Sequence, residues 1–141
     1  MPSTYQTVNI SATVSDVWEN FIDFHAFPWS KNVITKVEKV GDISGNEIGA
    51  KRILNDAFHE TLVEINPEEY IIKYSIDDGP SPVSKDEVAN YIGIIHLSSL
   101  PDKEGTLVEW SSSWSANTED AVDFCHGIYV ALLEELSNSY K

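Results

Sequence analysis

The feature that most constrains the fold is a series of strand-like segments joined by short turns between residues 33 and 116. Segments rich in β-branched, apolar residues alternate with stretches that contain Gly, Pro, Asn or Asp, which is typical of strands and turns. Strands joined by turns this short pair with their sequence neighbours in antiparallel order. Residues 120–140 follow, with apolar side chains at three- and four-residue spacing, which predicts an amphipathic helix. The order therefore predicts an α+β fold with an antiparallel meander packed on one long C-terminal helix.

Short helices are predicted between the first strand and the rest of the sheet. Thr13 can cap a helix that begins at "VSDVWENF", and "IDFHAFPW" predicts a second short helix that ends at Pro28. In the long helix, Asn117 is the predicted cap, and Gly127 is expected to permit close packing or a gentle bend. The predicted strands are 5–10, 33–40, 49–54, 58–65, 70–76, 88–99 and 106–116.

The segment "KRILNDAFHETLVE", residues 51–64, predicts a hairpin centred on Asp56. Residues at equal distances from the turn face each other, so Arg52 should lie opposite Glu60. An exposed cross-strand ion pair is the ordinary interpretation, and it contributes about 0–1 kcal/mol. Residues two apart share a face of the strand, however, and the apolar neighbours favour the inner face. That face should carry Arg52, Leu54, Phe58, Glu60 and Leu62.

The net charge and the cysteine content limit which molecules the protein is expected to bind and in which cellular compartment it is expected to act. The formal net charge is −14, which disfavours binding to nucleic acids and to anionic membranes. No apolar stretch is long enough to span a membrane, and the start lacks the basic and apolar regions of a signal peptide. Cys125 is the only cysteine, so no internal disulfide can form. We therefore expect a cytoplasmic protein without membrane insertion.

Neither a metal nor a cofactor is predicted. The histidines show no convergence with carboxylates or Cys125 at the spacing of a metal site, and Cys125 is expected to be a small core residue. The chain has no phosphate-binding glycine loop, no dinucleotide fingerprint and no Ser-His-Asp order. Any chemistry is therefore expected to depend on the side chains alone.

Several segments carry a resemblance to a known superfamily. The stretches "VNISATVSDVWENFIDFHAFPWS", "IGAKR", "FHETLVEI", "NYIGIIHL" and "LVEWSSSW", in this order, resemble the polyketide cyclase/dehydrase and lipid-transport superfamily. Members of that superfamily, such as the birch-pollen allergen and the START domains, have the helix-grip fold. The resemblance covers nearly the whole chain. It implies one START-like ligand-binding domain over residues 1–141, in which a seven-stranded antiparallel sheet grips the C-terminal helix around an apolar cavity.

Within the superfamily, the chain is most similar to the branch of the plant lachrymatory-factor synthases and the abscisic-acid receptors. The synthases use an arginine, a glutamate and a tyrosine on their third, fourth and sixth strands, and the matching residues are Arg52, Glu60 and Tyr91. A glutamate of the receptors matches Glu109. The receptors' gate is replaced by the short connection 55–57, so the resemblance does not imply a hormone-receptor role.

The cavity that the resemblance implies would be lined by core residues and by the matched polar side chains. Parity alone does not fix the face of Glu109, because bulges shift faces, but Trp110 and Trp114 should lie opposite to it. Arg52, Glu60 and Tyr91 are the candidate catalytic residues. The candidate ligand-binding residues are Trp29, Phe58, Leu62, Tyr74, Glu109, Phe124, Ile128 and Leu132.

Three functions follow as alternatives. The first is binding of a small hydrophobic molecule whose polar group meets Arg52, Glu60 and Tyr91. The second is a cofactor-independent cyclase, dehydratase or isomerase, in which Glu60 exchanges a proton with the substrate. The third is a protein-interaction module of the co-chaperone kind, with Trp110 and Trp114 on an exposed sheet face and an unknown protein partner.

Overall fold

The structure, a computed structural model, describes residues 2–102 and 104–141 and contains one seven-stranded antiparallel sheet. The strands lie in the spatial order β1-β7-β6-β5-β4-β3-β2, so only β1 pairs with a distant strand. The predicted seven-stranded sheet and C-terminal helix are confirmed. The elements are β1 Ser3–Ile10, α1 Val14–Trp18, β2 Val37–Val40, β3 Lys51–Leu54, β4 Phe58–Asn66, β5 Ile71–Asp78, β6 Ala89–Ser99, β7 Thr106–Ser115 and α2 Asp120–Asn138.

One face of the sheet packs on α2, and the core lies between them. Buried and half-buried residues alternate along β7, as expected for a strand with one buried face. The 19 residues of α2, at about 1.5 Å each, make a helix about 28 Å long. Neither helix in the described residues combines the length and the hydropathy needed to cross a bilayer. The buried residues of α2 are Ala121, Cys125, Tyr129, Leu132, Leu133 and Leu136.

The helices differ from prediction in three details. Thr13 caps α1 as expected, but no second helix forms after it. In the segment where that helix was predicted, the Phe24 N–H donates to the distant Gly45 O, at 2.8 Å, and not to a carbonyl of its own segment. Glu119, not Asn117, occupies the N-cap position of α2. Finally, a Cβ added at Gly127 would meet nothing within 4 Å, so this glycine is not required for close packing.

The register predicted for the hairpin of β3 and β4 is confirmed. Arg52 pairs with Glu60, and Leu54 pairs with Phe58. Asn55 and Asp56 have φ values of 54° and 57° in the turn, a left-handed conformation that Asn and Asp adopt more readily than most residues. Local turn chemistry therefore places the two charged side chains opposite each other on the buried face.

Candidate functional site

A small apolar cavity lies between the inner face of the sheet and α2. Its volume is about 40 Å³, which is enough for a few water molecules but far below the roughly 300–1,000 Å³ of typical ligand pockets. In this conformation the cavity is therefore too small for such a ligand. Its lining residues are Phe27, Ile34, Arg52, Leu54, Phe58, Glu60, Tyr74, Ile76, Tyr91, Trp110, Cys125, Ile128, Tyr129 and Leu132.

The charged part of the lining is a buried ion pair between Arg52 and Glu60. Their side chains are only 7% and 6% exposed. The Nε and Nη2 atoms of Arg52 both donate to Oε1 of Glu60, at 2.9 and 2.6 Å. The Nη1 atom donates to the carbonyl of Phe24 at 3.0 Å, and the guanidinium carbon lies 3.8 Å from the Phe24 ring centroid. Ionic, hydrogen-bonding and cation–π contacts therefore hold Arg52 in place.

Burial raises the pKa of the Glu60 carboxyl, and the charge and hydrogen bonds of Arg52 offset part of this shift. Burial disfavours the charged carboxylate, whereas an adjacent cation favours it. A carboxyl group balanced in this way can accept or release a proton closer to neutral pH than an exposed glutamate can. The direction of this shift is the one that a glutamate would need in order to act as a general acid or base.

A chain of hydrogen bonds joins three tyrosine hydroxyls beside the ion pair. Trp110 Nε1 donates to the hydroxyl of Tyr74 at 3.0 Å, and the Tyr129 hydroxyl lies 2.8 Å from that of Tyr74 and 2.6 Å from that of Tyr91. The indole N–H can only donate, so the hydrogen of Tyr74 is free to point at Tyr129. Burial raises the pKa of each of these tyrosines, which keeps the hydroxyls neutral.

The position of Tyr74 depends on a glycine in the neighbouring strand. Tyr74 on β5 is the cross-strand partner of Gly93 on β6. A Cβ added to Gly93 would lie 2.2 Å from Cζ of Tyr74 and 2.5 Å from its hydroxyl oxygen. The tyrosine ring therefore lies directly across the glycine, and this contact sets the position of its hydroxyl.

One side of the cavity is closed by residues 19–36, here called the cover segment, which connect α1 to β2 and contribute Phe27 and Ile34 to the lining. Glu135 of α2 accepts hydrogen bonds from the Ser30 hydroxyl and from the backbone N–H groups of residues 31–33. Burial acts to raise the pKa of Glu135, but these hydrogen bonds outweigh it, so the pKa is lowered. Asn55 binds the other end of the segment through Val33 O, Thr35 N and Lys36 N.

The structure brings most of the predicted polar residues to the cavity. Arg52, Glu60 and Tyr91 all line it, as do four of the predicted ligand-binding residues: Phe58, Tyr74, Ile128 and Leu132. Three apolar candidates do not. Trp29 and Leu62 are buried elsewhere in the core, and Phe124 is only partly buried, because α2 turns Cys125 and Tyr129 toward the cavity instead.

The expectation for Glu109 is corrected. β7 runs without a bulge along its pairing with β1, so the alternation that buries Trp110 turns Glu109 to the outer face of the sheet. There, Glu109 accepts a hydrogen bond from the Tyr5 hydroxyl, and its Oε1 lies 3.7 Å from His96 Nδ1. Trp110 and Trp114 are 2% and 0% exposed, so an interaction surface built on these two residues is also wrong.

Sequence reasoning missed Tyr129, Trp110 and Cys125 as cavity residues. Tyr129 follows Cys125 by four positions and precedes Leu132 by three, so helical spacing alone could have placed it on the same face. In the described part of the chain, no three His, Cys, Asp or Glu side chains form a group that could hold a metal ion.

Comparison with known proteins gives the chain's relatives. The sequence model of the family described as polyketide cyclase / dehydrase and lipid transport matches residues 1–139. A solved structure of a protein from Nitrosospira multiformis is 38% identical, with a TM-score of 0.96, over 99% of this chain and 97% of that one. No curated protein sequence matches significantly.

More distant structures share the fold alone. Major latex-like protein 151 from Panax ginseng is 15% identical, with a TM-score of 0.79 over 98% of this chain and 96% of that one. Norcoclaurine synthase from Thalictrum flavum, solved in complex with dopamine and hydroxybenzaldehyde, is 15% identical, with a TM-score of 0.74 over 96% and 84%. Because the family match extends over nearly the whole length, the chain belongs to the polyketide cyclase/dehydrase and lipid-transport family.

Proposed function

We propose that residues 1–141 act as one START-like domain that binds a small hydrophobic molecule, with a polar group, between the sheet and α2. The observation that carries this proposal is the buried Arg52–Glu60 pair on the wall of an otherwise apolar cavity. A buried ion pair is often no more stabilising than well-packed apolar residues would be. Its position beside a cavity therefore favours a role in recognition over a role in stability.

Binding requires the cavity to expand, since about 40 Å³ cannot hold a typical ligand. The cover segment is the part of the wall best suited to move, because it lacks regular secondary structure between α1 and β2. Its backbone N–H groups donate hydrogen bonds to the side chains of Glu135 and Asn55, and these bonds can break without unfolding the sheet. Displacement of Phe27 and Ile34 would join the cavity to solvent.

The ion pair and the hydroxyl chain would anchor the polar end of the ligand. Glu60 and Arg52 lie on neighbouring strands, and Tyr91 lies on β6 at the end of the hydroxyl chain. The apolar part of the ligand would lie against Phe58, Ile128 and neighbouring residues. The single cysteine supports placing this activity in the cytoplasm.

A cofactor-independent cyclase, dehydratase or isomerase is the second candidate. It is favoured by the raised pKa of Glu60, which suits proton exchange with a substrate. In that case, Arg52 would orient the substrate and Tyr91 would donate a hydrogen bond to it. Glu60→Gln should then abolish turnover while binding persists, whereas a pure binding protein would show no turnover in either form.

Two buried leucines on α2 provide a direct test of the binding site. Leu132 and Leu133 are 4% and 3% exposed, but only Leu132 lines the cavity. Each change to alanine should cost about 2–5 kcal/mol of stability. Leu132→Ala enlarges the cavity, so it should bind the neutral fluorescent probe N-phenyl-1-naphthylamine several-fold more tightly than Leu133→Ala does. Equal affinities would place the bound probe outside this cavity.

Mass spectrometry of the purified protein supplies a complementary measurement. A mass excess under native conditions that is lost on denaturation would reveal a co-purified ligand and its chemical class. The binding proposal would be contradicted if neither the probe nor a panel of apolar molecules raised the melting temperature of the wild-type protein or of Leu132→Ala.

A further inference from the structure

The polar groups of the cavity differ in how much hydrogen-bonding capacity they have left. Both hydrogen bonds from Arg52 end on Oε1 of Glu60, and no described residue donates one to Oε2. In the described residues, every fully buried side-chain nitrogen or oxygen makes a hydrogen bond, except Trp114 Nε1. Oε2 of Glu60 makes none, so it must keep some solvent-accessible surface. Because Glu60 lines the cavity, this surface is available to a ligand.

Every nitrogen of the Arg52 guanidinium already donates a hydrogen bond, which leaves one further N–H on each of Nη1 and Nη2. The positive charge of Arg52 is already matched by Glu60, and its Nη1 is directed to Phe24 O. Its guanidinium carbon lies 3.8 Å from the ring centroid of Phe24 and 4.9 Å from that of Phe27. A ligand carboxylate would therefore meet a neutralised cation and would bring a second negative charge close to Glu60.

The tyrosine chain contributes no charge and leaves one hydroxyl hydrogen, that of Tyr91 at its end, without a partner in the chain. Tyr74 accepts from Trp110, so its own hydrogen can serve Tyr129, and the hydrogen of Tyr129 can serve Tyr91. Oε2 of Glu60 is thus the charged atom of the cavity lining that makes no hydrogen bond to a described residue. A ligand hydroxyl can donate a charge-assisted hydrogen bond to it, and a neutral donor leaves the charge balance of the Arg52–Glu60 pair unchanged.

We propose that the ligand's polar group is a neutral hydrogen-bond donor such as a phenolic or alcoholic hydroxyl, accepted by Oε2 of Glu60, and that carboxylate ligands are disfavoured. This inference rests on the proposed function and specifies the ligand class for the same site. It assigns Arg52 the role of orienting the Glu60 carboxyl group through Oε1, so that the ligand meets Oε2.

Three probes of nearly equal size test the inference on the wild-type protein at pH 7. 2-Naphthol carries a neutral donor, 2-methoxynaphthalene lacks the donor, and 2-naphthoate carries a negative charge. Titration calorimetry should show 2-naphthol binding about tenfold or more tightly than either of the others, as expected for one hydrogen bond to a charged group. Equal or tighter binding of 2-methoxynaphthalene or 2-naphthoate would overturn the inference but would leave the proposed function standing.

A charge-changing variant sharpens the result. Glu60→Gln removes the anion and leaves Arg52 without its counter-charge, so 2-naphthoate should become the tightest of the three ligands. Glu64→Gln is the matched control, because Glu64 lies on the same strand with its side chain 42% exposed and off the cavity lining, and it should keep the wild-type order. If Glu60→Gln does not fold, the wild-type ranking decides the inference. Absence of binding by all three probes would refute the proposed function, and this inference with it.

Discussion

The contact between Gly93 and Tyr74 leads to a prediction of unusual sign. In the interior of a strand, replacing glycine by alanine ordinarily stabilises a protein by about 0.5–1 kcal/mol. At Gly93, however, the new Cβ would lie 2.2 Å from Cζ of Tyr74 and 2.5 Å from Cε1 and from the hydroxyl oxygen. The ring must therefore move by more than 1 Å to reach an ordinary contact of about 3.5 Å.

The magnitude follows from what that movement breaks. Tyr74 is 1% exposed and lines a cavity of only about 40 Å³, so the ring can shift only a little before it displaces other core side chains. Overpacking of this kind costs about 1–3 kcal/mol. Its hydroxyl also loses its hydrogen bonds with Trp110 and Tyr129, at about 0.5–1.5 kcal/mol each. Gly93→Ala should thus lower the free energy of unfolding by about 2–6 kcal/mol in total.

Urea unfolding followed by tryptophan fluorescence measures this loss, and Gly127→Ala is the matched control. A Cβ at Gly127 meets nothing within 4 Å, so alanine there should stabilise α2 by about 1 kcal/mol. In a Tyr74→Ala background, Gly93→Ala should cost far less, because the ring is absent. A neutral or stabilising Gly93→Ala would contradict the predicted clash with Tyr74. A cost that is unchanged when the ring is removed would contradict it as well.

Two further changes probe the ion pair and the cover segment. At pH 7, Arg52→Met should lower the free energy of unfolding by about 3–5 kcal/mol, because it leaves the Glu60 carboxyl buried without its cation. Lys73→Met, which removes the cation of an exposed pair, should change it by less than about 1 kcal/mol. Equal losses in denaturant titrations would contradict the buried pair. The pKa of Glu135 is lowered from 4.5, so its stabilising contribution is present above that pH and is lost as the pH falls through the folded-state pKa. The difference in unfolding free energy between the wild-type protein and Glu135→Gln should accordingly shrink below about pH 4.5. A difference that stayed constant from pH 7 to pH 3 would show that the hydrogen bonds to Ser30 and residues 31–33 do not hold the cover segment.

The pH dependence of Glu60 has the opposite direction from that of Glu135. A folded-state pKa above the unfolded value means that the folded state binds the proton more tightly. The contribution of Glu60 to stability is therefore greatest below pH 4.5 and declines as the pH rises through the folded-state pKa. Glu60→Gln removes this dependence, so the two glutamates can be distinguished by their unfolding profiles.

Local and periodic features of the chain were sufficient for the architecture and for half of the candidate site. The turn at Asn55 and Asp56 determines the register of β3 and β4, and register places Arg52 opposite Glu60. Period-two alternation identified the shared face of the hairpin, and three-four spacing located the long helix. These are short-range relations, so they can be read without knowing what the elements pack against.

The rest depended on contacts between residues far apart in the chain. Because successive residues of a strand point to opposite faces, Glu109 and Trp110 of β7 lie on different faces of the sheet. Only the packing of one face on α2 decides which of the two is buried. The rotation of α2 brings Tyr129 to Tyr74 and Tyr91, and backbone bonding of Phe24 to Gly45 replaces the predicted second helix. The sequence by itself thus determined the order and pairing of the elements, because these follow from turn chemistry and periodicity. Only the tertiary structure decided the composition and small size of the cavity, because these depend on the relative placement of side chains from five strands, the cover segment and α2.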